Sequence, residues 1–333
     1  RSKEVPAYKL IPNKTYLFFS HTIKLQPHNR DLFKAIVKNG IRLIDYECLK
    51  WPVGSRVLGF GRYAGIVGTY EAFKAIGIRL GLYQLPATYT CNDYLHLKEK
   101  KKKILPIIKS QKLRIVITGS GRVAHGCEEL MGFMQIEQVK PEAYLNNTFN
   151  ETVYTLLDSH HLYERKDGEP WNHEHFFKNH ALYRSIFEPY TQCTDLLING
   201  VYWDSAMPPH FTVEQTNSPD FRIRVIADIS CDIEGSVPIT LRDTTQDEPV
   251  MGYNPSTGKE CEPYQPGSID IMAVSNLPTA LPADASRSFG DSLLRHVLPR
   301  ILMPFDDSMI PDATLCENGQ LTPPFQYMKD YML

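Results

Sequence analysis

No stretch of this chain stays apolar over the ~18–20 residues that a bilayer-crossing helix needs, so nothing in it reads as a membrane span. The first residues, Arg1-Ser2-Lys3-Glu4, have no apolar core behind them and do not read as a signal peptide. They are charged from the outset, and we expect that a preceding segment is missing. The seven cysteines are odd in number and scattered, with no Cys-x-x-Cys pair. A disulfide scaffold and a zinc ribbon are not expected, and a reducing cytoplasm is. Charge of one sign is also lacking. Lys and Arg total 36 against 38 Asp and Glu, a net −2, so no basic face calls for nucleic acid. The basic run at residues 98–103 reads as a solvated helix face. There is no internal repeat and no low-complexity tract.

What is present is ordinary globular material: 42% hydrophobic and 22% charged residues. The 333 residues suit two domains. Tyr16-Leu17-Phe18-Phe19-Ser20 predicts a buried strand, residues 29–38 a helix with Leu32, Phe33, Ile36 and Val37 on one face, and residues 41–45 a second strand. Strand, helix, strand is the unit of a parallel α/β sheet. A long helix over residues 63–82, read as a link between domains, carries Gly65, Gly68 and Gly77, which cost stability unless something packs closely on them. Another helix is predicted over 92–111. A strand over 112–118, a helix through about residue 131 and a strand near 136–139 make a second unit. Further buried strands are predicted over 194–201, 223–229 and 268–274, an irregular His-rich stretch over 158–190, and a last helix over 284–302 opened by Asp284.

The second unit contains Gly119-Ser120-Gly121-Arg122-Val123-Ala124 between strand and helix. Gly119 permits a tight turn, Gly121 lets backbone approach a pyrophosphate, and Ala124 allows close helix–strand contact. The helix start offers unpaired N–H groups to phosphate. This pattern points to a dinucleotide, NAD or NADP. An acidic residue about twenty positions on normally grips the adenosine ribose. Here that place falls near Lys140, which suits the extra phosphate of NADP or is simply exposed, while Glu142 would suit NAD. His125 flanks the same loop.

A second cluster, His21-x-x-Lys24-x-Gln26, directly follows the first strand, with Asp45 and Glu47 at the end of the next. Strand ends of this kind are where parallel sheets place ligands. On local grounds His21 also fits a plain surface histidine. His160-His161 and His173-x-His175 lack a settled third ligand, so no metal is expected. Asp228 and Asp232 are either turn caps or ligands on the nicotinamide side, and Tyr202-Trp203 reads as core or cleft lining.

Ser20-His21-Thr22-Ile23-Lys24-Leu25-Gln26 and Leu43-Ile44-Asp45-Tyr46-Glu47 resemble segments of the lysine-forming saccharopine dehydrogenases and of the lysine–ketoglutarate reductase domain of the bifunctional animal and plant enzyme. Arg56-Val57, Phe60-Gly61, Ala64-Gly65, Asn199-Gly200-Val201-Tyr202-Trp203 and Ala227-Asp228-Ile229-Ser230-Cys231-Asp232 do the same. So do Asn276-Leu277-Pro278, Leu281-Pro282 and Phe289-Gly290-Asp291. The likeness runs in order through nearly the whole chain, and more distantly it extends to alanine dehydrogenase and the soluble transhydrogenase subunit.

That resemblance implies an α/β fold of two Rossmann-like domains with parallel sheets and a cofactor cleft between them. The first, discontinuous domain (residues 1–60 plus 284–333) would hold substrate, and residues 61–283 would bind NAD or NADP. It implies Lys3 and His21 as an acid–base pair, with Glu4, Lys24, Gln26 and Glu47 lining the substrate site. Gly119, Ser120, Gly121, Arg122, Val123, Lys140, Glu142, Asp232, Asn276 and Leu277 would hold the cofactor. Relatives often carry Asp before Asn-Leu-Pro, where this chain has Ser275. The activity implied is reversible oxidation of saccharopine to lysine and 2-oxoglutarate through an imine. The rivals are an alanine-dehydrogenase-like oxidoreductase and a non-catalytic dinucleotide-binding subunit. The expected partners are these small molecules, with neither nucleic acid nor membrane, and self-association stays open.

Overall fold

The computed structural model describes residues 5–303 and 307–332. The chain divides into two units, Arg1–Gly59 with Ser286–Leu333, and Phe60–Ala285.

In the first unit β1 (Thr15–Phe18) and β2 (Arg42–Asp45) pair in parallel, Phe18 opposite Asp45. The connecting helix α1 (Arg30–Lys38) buries Leu32, Phe33 and Ile36, one apolar stripe at helical spacing. It ends where Gly40 takes a φ of +61°, with Gly40 N–H bonded to Val37 O and Ile41 N–H to Ile36 O.

The second unit opens on α2 (Gly61–Arg79), which is buried on nearly every side and belongs wholly to this unit, not to a linker. The helix predicted over 92–111 is two, α3 (Tyr94–Lys102) and α4 (Leu105–Ser110). Pro106 has no N–H to donate back and disfavours helical geometry in the residue before it, so the ladder stops at the turn over 103–104.

Then come β3 (Arg114–Thr118), α5 (Arg122–Phe133), β4 (Glu137–Gln138) and β5 (Val153–Leu157). A short hairpin, β6 (Tyr163–Arg165) with β7 (Tyr183–Ser185), lies in the His-rich stretch. The remaining strands of this unit are β8 (Leu196–Asn199), β9 (Val225–Asp228), β10 (Val250–Asn254), β11 (Lys259–Cys261) and β12 (Ile269–Met272). Eight of them form one sheet in the order β11-β10-β12-β9-β8-β3-β5-β4. From β12 to β4 every pairing is parallel, and the hairpin of β10 and β11 adds an antiparallel edge. Alternation along β3 sends Ile115 and Ile117 into the core shared with α2 and α5, and Val116 into the core of Tyr144, Phe187 and Phe211. Both sheet faces are thus covered, as a parallel sheet requires.

The C-terminal return is a helix over Pro282–Ser292, a π-helical turn over Leu293–Val297 and a helix over Leu298–Leu302. Asp284 does not open this helix. It lies within the first turn, and its Oδ2 accepts the Tyr94 N–H at 2.8 Å, serving the start of α3. Phe289 packs on Tyr46 and Phe19, ring centroids 5.2 and 6.2 Å apart. Two last strands, β13 (Thr314–Glu317) and β14 (Gln320–Leu321), complete the sheet β1-β2-β13-β14. β13 runs antiparallel to β2, so the first unit's sheet is mixed.

Candidate functional site

In the second unit the parallel strands end together. Thr118 closes β3, Leu157 is its partner on β5, and Asn199 is its partner on β8. The chain crosses away from β3 to β5 on one side and β8 on the other, the switch point where open α/β sheets bind ligands. The glycine loop emerges there. Gly119 has a φ of +100°, its N–H bonds Leu157 O at 2.8 Å, and a Cβ on it would stand 2.7 Å from Gly200 O. Two strand ends therefore close on each other in a space only glycine fits. Gly121 sits at the N-cap of the twelve-residue helix α5, and a Cβ on it would meet nothing within 4 Å. Its face is open, at the end of a helix that offers N–H groups and partial positive charge. Arg122 and Val123 form the first turn, and Ala124 is fully buried. These are the features a pyrophosphate requires.

The loop is braced from behind. A Cβ on Gly65 of α2 would lie 2.0 Å from Val123 O, and one on Gly126 would lie 2.1 Å from Arg62 O. Gly68 meets Ile229 and Gly77 meets Tyr83 in the same manner, which accounts for the glycines of α2.

Lys140 and Glu142, the residues read for the ribose, follow β4 and not the strand beside β3. β4, the strand leading to Lys140 and Glu142, lies at the sheet edge, one strand beyond β5. Both side chains are exposed on the short helix that follows. The strand beside β3 is β5, and the residue after its end is Asp158. Val153-Tyr154-Thr155-Leu156-Leu157, a largely apolar run followed by an acid, marks this strand in the sequence.

Behind the loop lies a polar network that sequence reading also missed. Asn199 Oδ1 accepts from the Thr118 hydroxyl at 2.7 Å and lies 3.0 Å from His210 Nε2. Asn199 Nδ2 donates to Asp228 Oδ1 and to Ser236 Oγ, each at 2.8 Å. Thr240 donates to Asp228 Oδ2 at 2.7 Å. All of these side chains are buried. Burial pushes Asp228 up to about 6, against the hydrogen bonds from Thr240 and Asn199. Burial also pushes His210 down to about 3, so it stays neutral. With Asn199 Oδ1 as acceptor, His210 carries its proton on Nε2, and Nδ1 finds no partner among the described residues. Asp228 is thus a structural carboxylate. Asp232 is half-buried in the turn that follows, where Gly235 N–H bonds its carbonyl. Asn276 is exposed and begins a 3-10 turn, while the Leu277 side chain packs toward Gly68 in the core, so Leu277 has only backbone to offer a ligand.

In the first unit Lys3 and Glu4 lie outside the described residues. His21, Lys24, Gln26 and Glu47 come together, with Ile23, around a small cavity of about 70 Å³. The loop holding them is strained. His21 and Leu25 both have positive φ, +50° and +58°, which costs of order 1–3 kcal/mol each. A buried network holds it in place. Asp45 at the end of β2 accepts the Ser20 N–H at 3.0 Å, the Ser20 hydroxyl, and the Glu47 N–H at 2.7 Å. Burial raises the Asp45 pKa above the usual range, opposed by these bonds. From the other end of the chain Tyr327 donates to Ile23 O at 2.8 Å and Tyr331 to Gln26 O at 2.5 Å. Glu47 is paired with Arg56 at 2.5 Å. A larger cavity, about 820 Å³, shares Ile23 and Lys24 and adds Lys50, Trp51, Arg300 and Tyr327 to its walls. Arg300 is paired with Asp307 at 2.6 Å and Asp312 adds a second carboxylate to the wall, while Lys24 and Lys50 are its lysines.

No family model matches the chain. It is 29% identical to the mitochondrial alpha-aminoadipic semialdehyde synthase of Bos taurus over 98% of its own length and 40% of that protein's. It is 28% identical to the Arabidopsis thaliana synthase over 96% of the chain and 34% of that protein. The lysine-forming, NAD(+) saccharopine dehydrogenase of Schizosaccharomyces pombe is 26% identical, over 89% of the chain and 73% of the relative. The chain thus spans about 40% of the length of the animal relatives. A solved L-alanine dehydrogenase superposes over 99% of the chain and 80% of its own, with a TM-score of 0.58 at 16% identity, which shows a shared fold. These are the groups that the quoted segments resemble.

Proposed function

We propose that the chain is the reductase part of a saccharopine-dehydrogenase-like enzyme, joining lysine and 2-oxoglutarate reversibly with NAD as cofactor. The observation that carries this reading is the open face of Gly121 at the start of α5, next to a strand that Asp158 follows. The residues fit a dinucleotide: Gly119 to Val123 would hold its pyrophosphate and Asp158 its adenosine ribose. A carboxylate accepts hydrogen bonds from ribose hydroxyls and repels a 2′-phosphate, which favours NAD over NADP. The bound cofactor gives or takes the hydride.

The chain's own residues bind substrate and move protons. Lys24 and Lys50 offer cations to the substrate carboxylates. Condensing the lysine ε-amine with the ketone expels water and leaves an imine. Protons must reach the departing oxygen and later the new amine, and we assign these transfers to Lys3 and His21. The first unit is then the substrate domain and the second the nucleotide domain. We assign a reducing compartment, the cytoplasm, on the odd number and scattered placing of the seven cysteines.

The test adds substrates singly and in pairs to the full-length protein with NADH. Oxidation of NADH only when lysine and 2-oxoglutarate are both present supports the reading. Oxidation with a keto acid and ammonia instead would show an alanine-dehydrogenase-like enzyme. NADH binding without turnover would show a non-catalytic nucleotide-binding protein.

A further inference from the structure

Asp158 stands two residues before His160 and three before His161, and the turn between them brings the three side chains together. Asp158 follows β5 and caps the short turn after it, its Oδ1 accepting the His160 N–H at 3.1 Å. That turn swings both rings back onto the same oxygen. Asp158 Oδ1 lies 2.5 Å from His160 Nδ1 and 2.9 Å from His161 Nδ1. The ring centroids are 3.7 Å apart, and one ligand atom from each of the three residues fits within a 4.8 Å span. All three side chains keep an open side to solvent, so an ion can enter and keep water as a further ligand.

We propose that Asp158, His160 and His161 form a binding site for a divalent ion of the zinc class, and that the ion opposes dinucleotide binding. Two imidazoles and one carboxylate are a donor set that zinc favours, at about 2.0–2.2 Å from each atom. Ligand atoms around such an ion stand slightly farther apart than these hydrogen-bonded ones, and half-exposed side chains can open by that amount. A neutral ring with its proton on Nε2 offers Nδ1 to the ion, so binding costs no net charge on the histidines. The opposing effect rests on Asp158 being the ribose carboxylate, as in the reading above. The ion draws that carboxylate into its own shell and takes away the acceptor that the ribose hydroxyls need.

The experiment uses untagged full-length protein freed of metal. Zinc chloride is titrated in a calorimeter without nucleotide, and Co(II) is added in parallel to read visible d–d absorption. We expect saturable 1:1 binding in wild type, lost in the H160Q/H161Q double variant and retained in H173Q. NADH affinity is then measured with and without saturating zinc. The proposal predicts roughly tenfold or greater weakening by zinc in wild type and none in H160Q/H161Q. Absent zinc binding, or zinc binding that survives in the double variant, overturns the site. Zinc binding with unchanged NADH affinity overturns the competition. A protein that takes zinc normally but never binds NADH overturns the nucleotide reading alone.

Discussion

Gly65 of α2 and Val123 of α5 meet so closely that a single methyl group on Gly65 would lie 2.0 Å from the Val123 carbonyl oxygen. Val123 sits in the first turn after Gly121, so this contact sets where the phosphate-facing end of α5 lies. Gly65→Ala should force the two helices apart. Overpacking of this kind costs typically 1–3 kcal/mol, against a gain of at most ~1 kcal/mol in helix propensity. Urea unfolding should show net destabilisation, and NADH affinity should fall with it. A variant at least as stable as wild type would show that α2 and α5 are free to move apart.

The second prediction concerns acid. His210 titrates near 6.5 when unfolded and near 3 when folded, so stability is lost as pH falls below 6.5. Asp228 runs the other way. Its folded value is about 6 against 3.8, so the native state takes up a proton first and stability rises as pH falls from 6 toward 3.8. Over that window the two slopes, each about 1.4 kcal/mol per pH unit, oppose each other. Asp228→Asn keeps the shape and removes one slope. The variant should lose stability between pH 6 and 4 more steeply than wild type in urea melts. Parallel curves would disprove the assignment.

What the sequence disclosed follows from periodicity and what it hid follows from topology. The glycine loop, β3 and α5 were legible because an apolar run, a Gly-x-Gly turn and a helical pattern stand next to one another. The cluster around His21 was legible because its residues follow a strand within six positions. Asp158 was not, because counting along the chain leads to β4 while the sheet inserts β5 beside β3. The Asn199–His210 contact joins residues with no common motif, and the antiparallel hairpin β10–β11 has a short, polar second strand, Lys259–Cys261, with no apolar alternation to mark it.

Asp158 is testable through cofactor choice. Hydrogen bonds to a charged group contribute about 1.5–3 kcal/mol, roughly 10–100-fold in affinity. Asp158→Ser should weaken NADH by that factor and improve NADPH, since the repulsion toward the 2′-phosphate disappears. Lys140→Asp, at the sheet edge, should leave the ratio unchanged. Calorimetric titration of both nucleotides against both variants decides it. A ratio that responds to Lys140 and not to Asp158 would return the ribose to the β4 side.

The last prediction is the acid–base role of His21. Its backbone φ of +50° is uncommon for a side chain other than Asn, Asp or His. A substitution that cannot adopt it would disturb the loop and confuse position with chemistry. Asn tolerates the left-handed region and has no proton to give near neutrality, so His21→Asn is the cleaner variant. In the full-length protein it should lower turnover by roughly 10²–10⁴, the usual scale for a positioned acid–base group, and flatten one limb of the pH–rate profile. Lys3→Met should lower turnover by a similar factor. NADH affinity should hold in both, because His21 lies outside the unit that carries the glycine loop and Lys3 is assigned to the proton transfers alone. Ser20→Ala separates the roles. It removes the hydroxyl that Asp45 grips, loosening the loop without touching the imidazole. It should lower turnover modestly and leave the pH profile in place. Wild-type turnover with an unchanged profile in His21→Asn would remove His21 from the chemistry and leave it a loop residue held by Asp45.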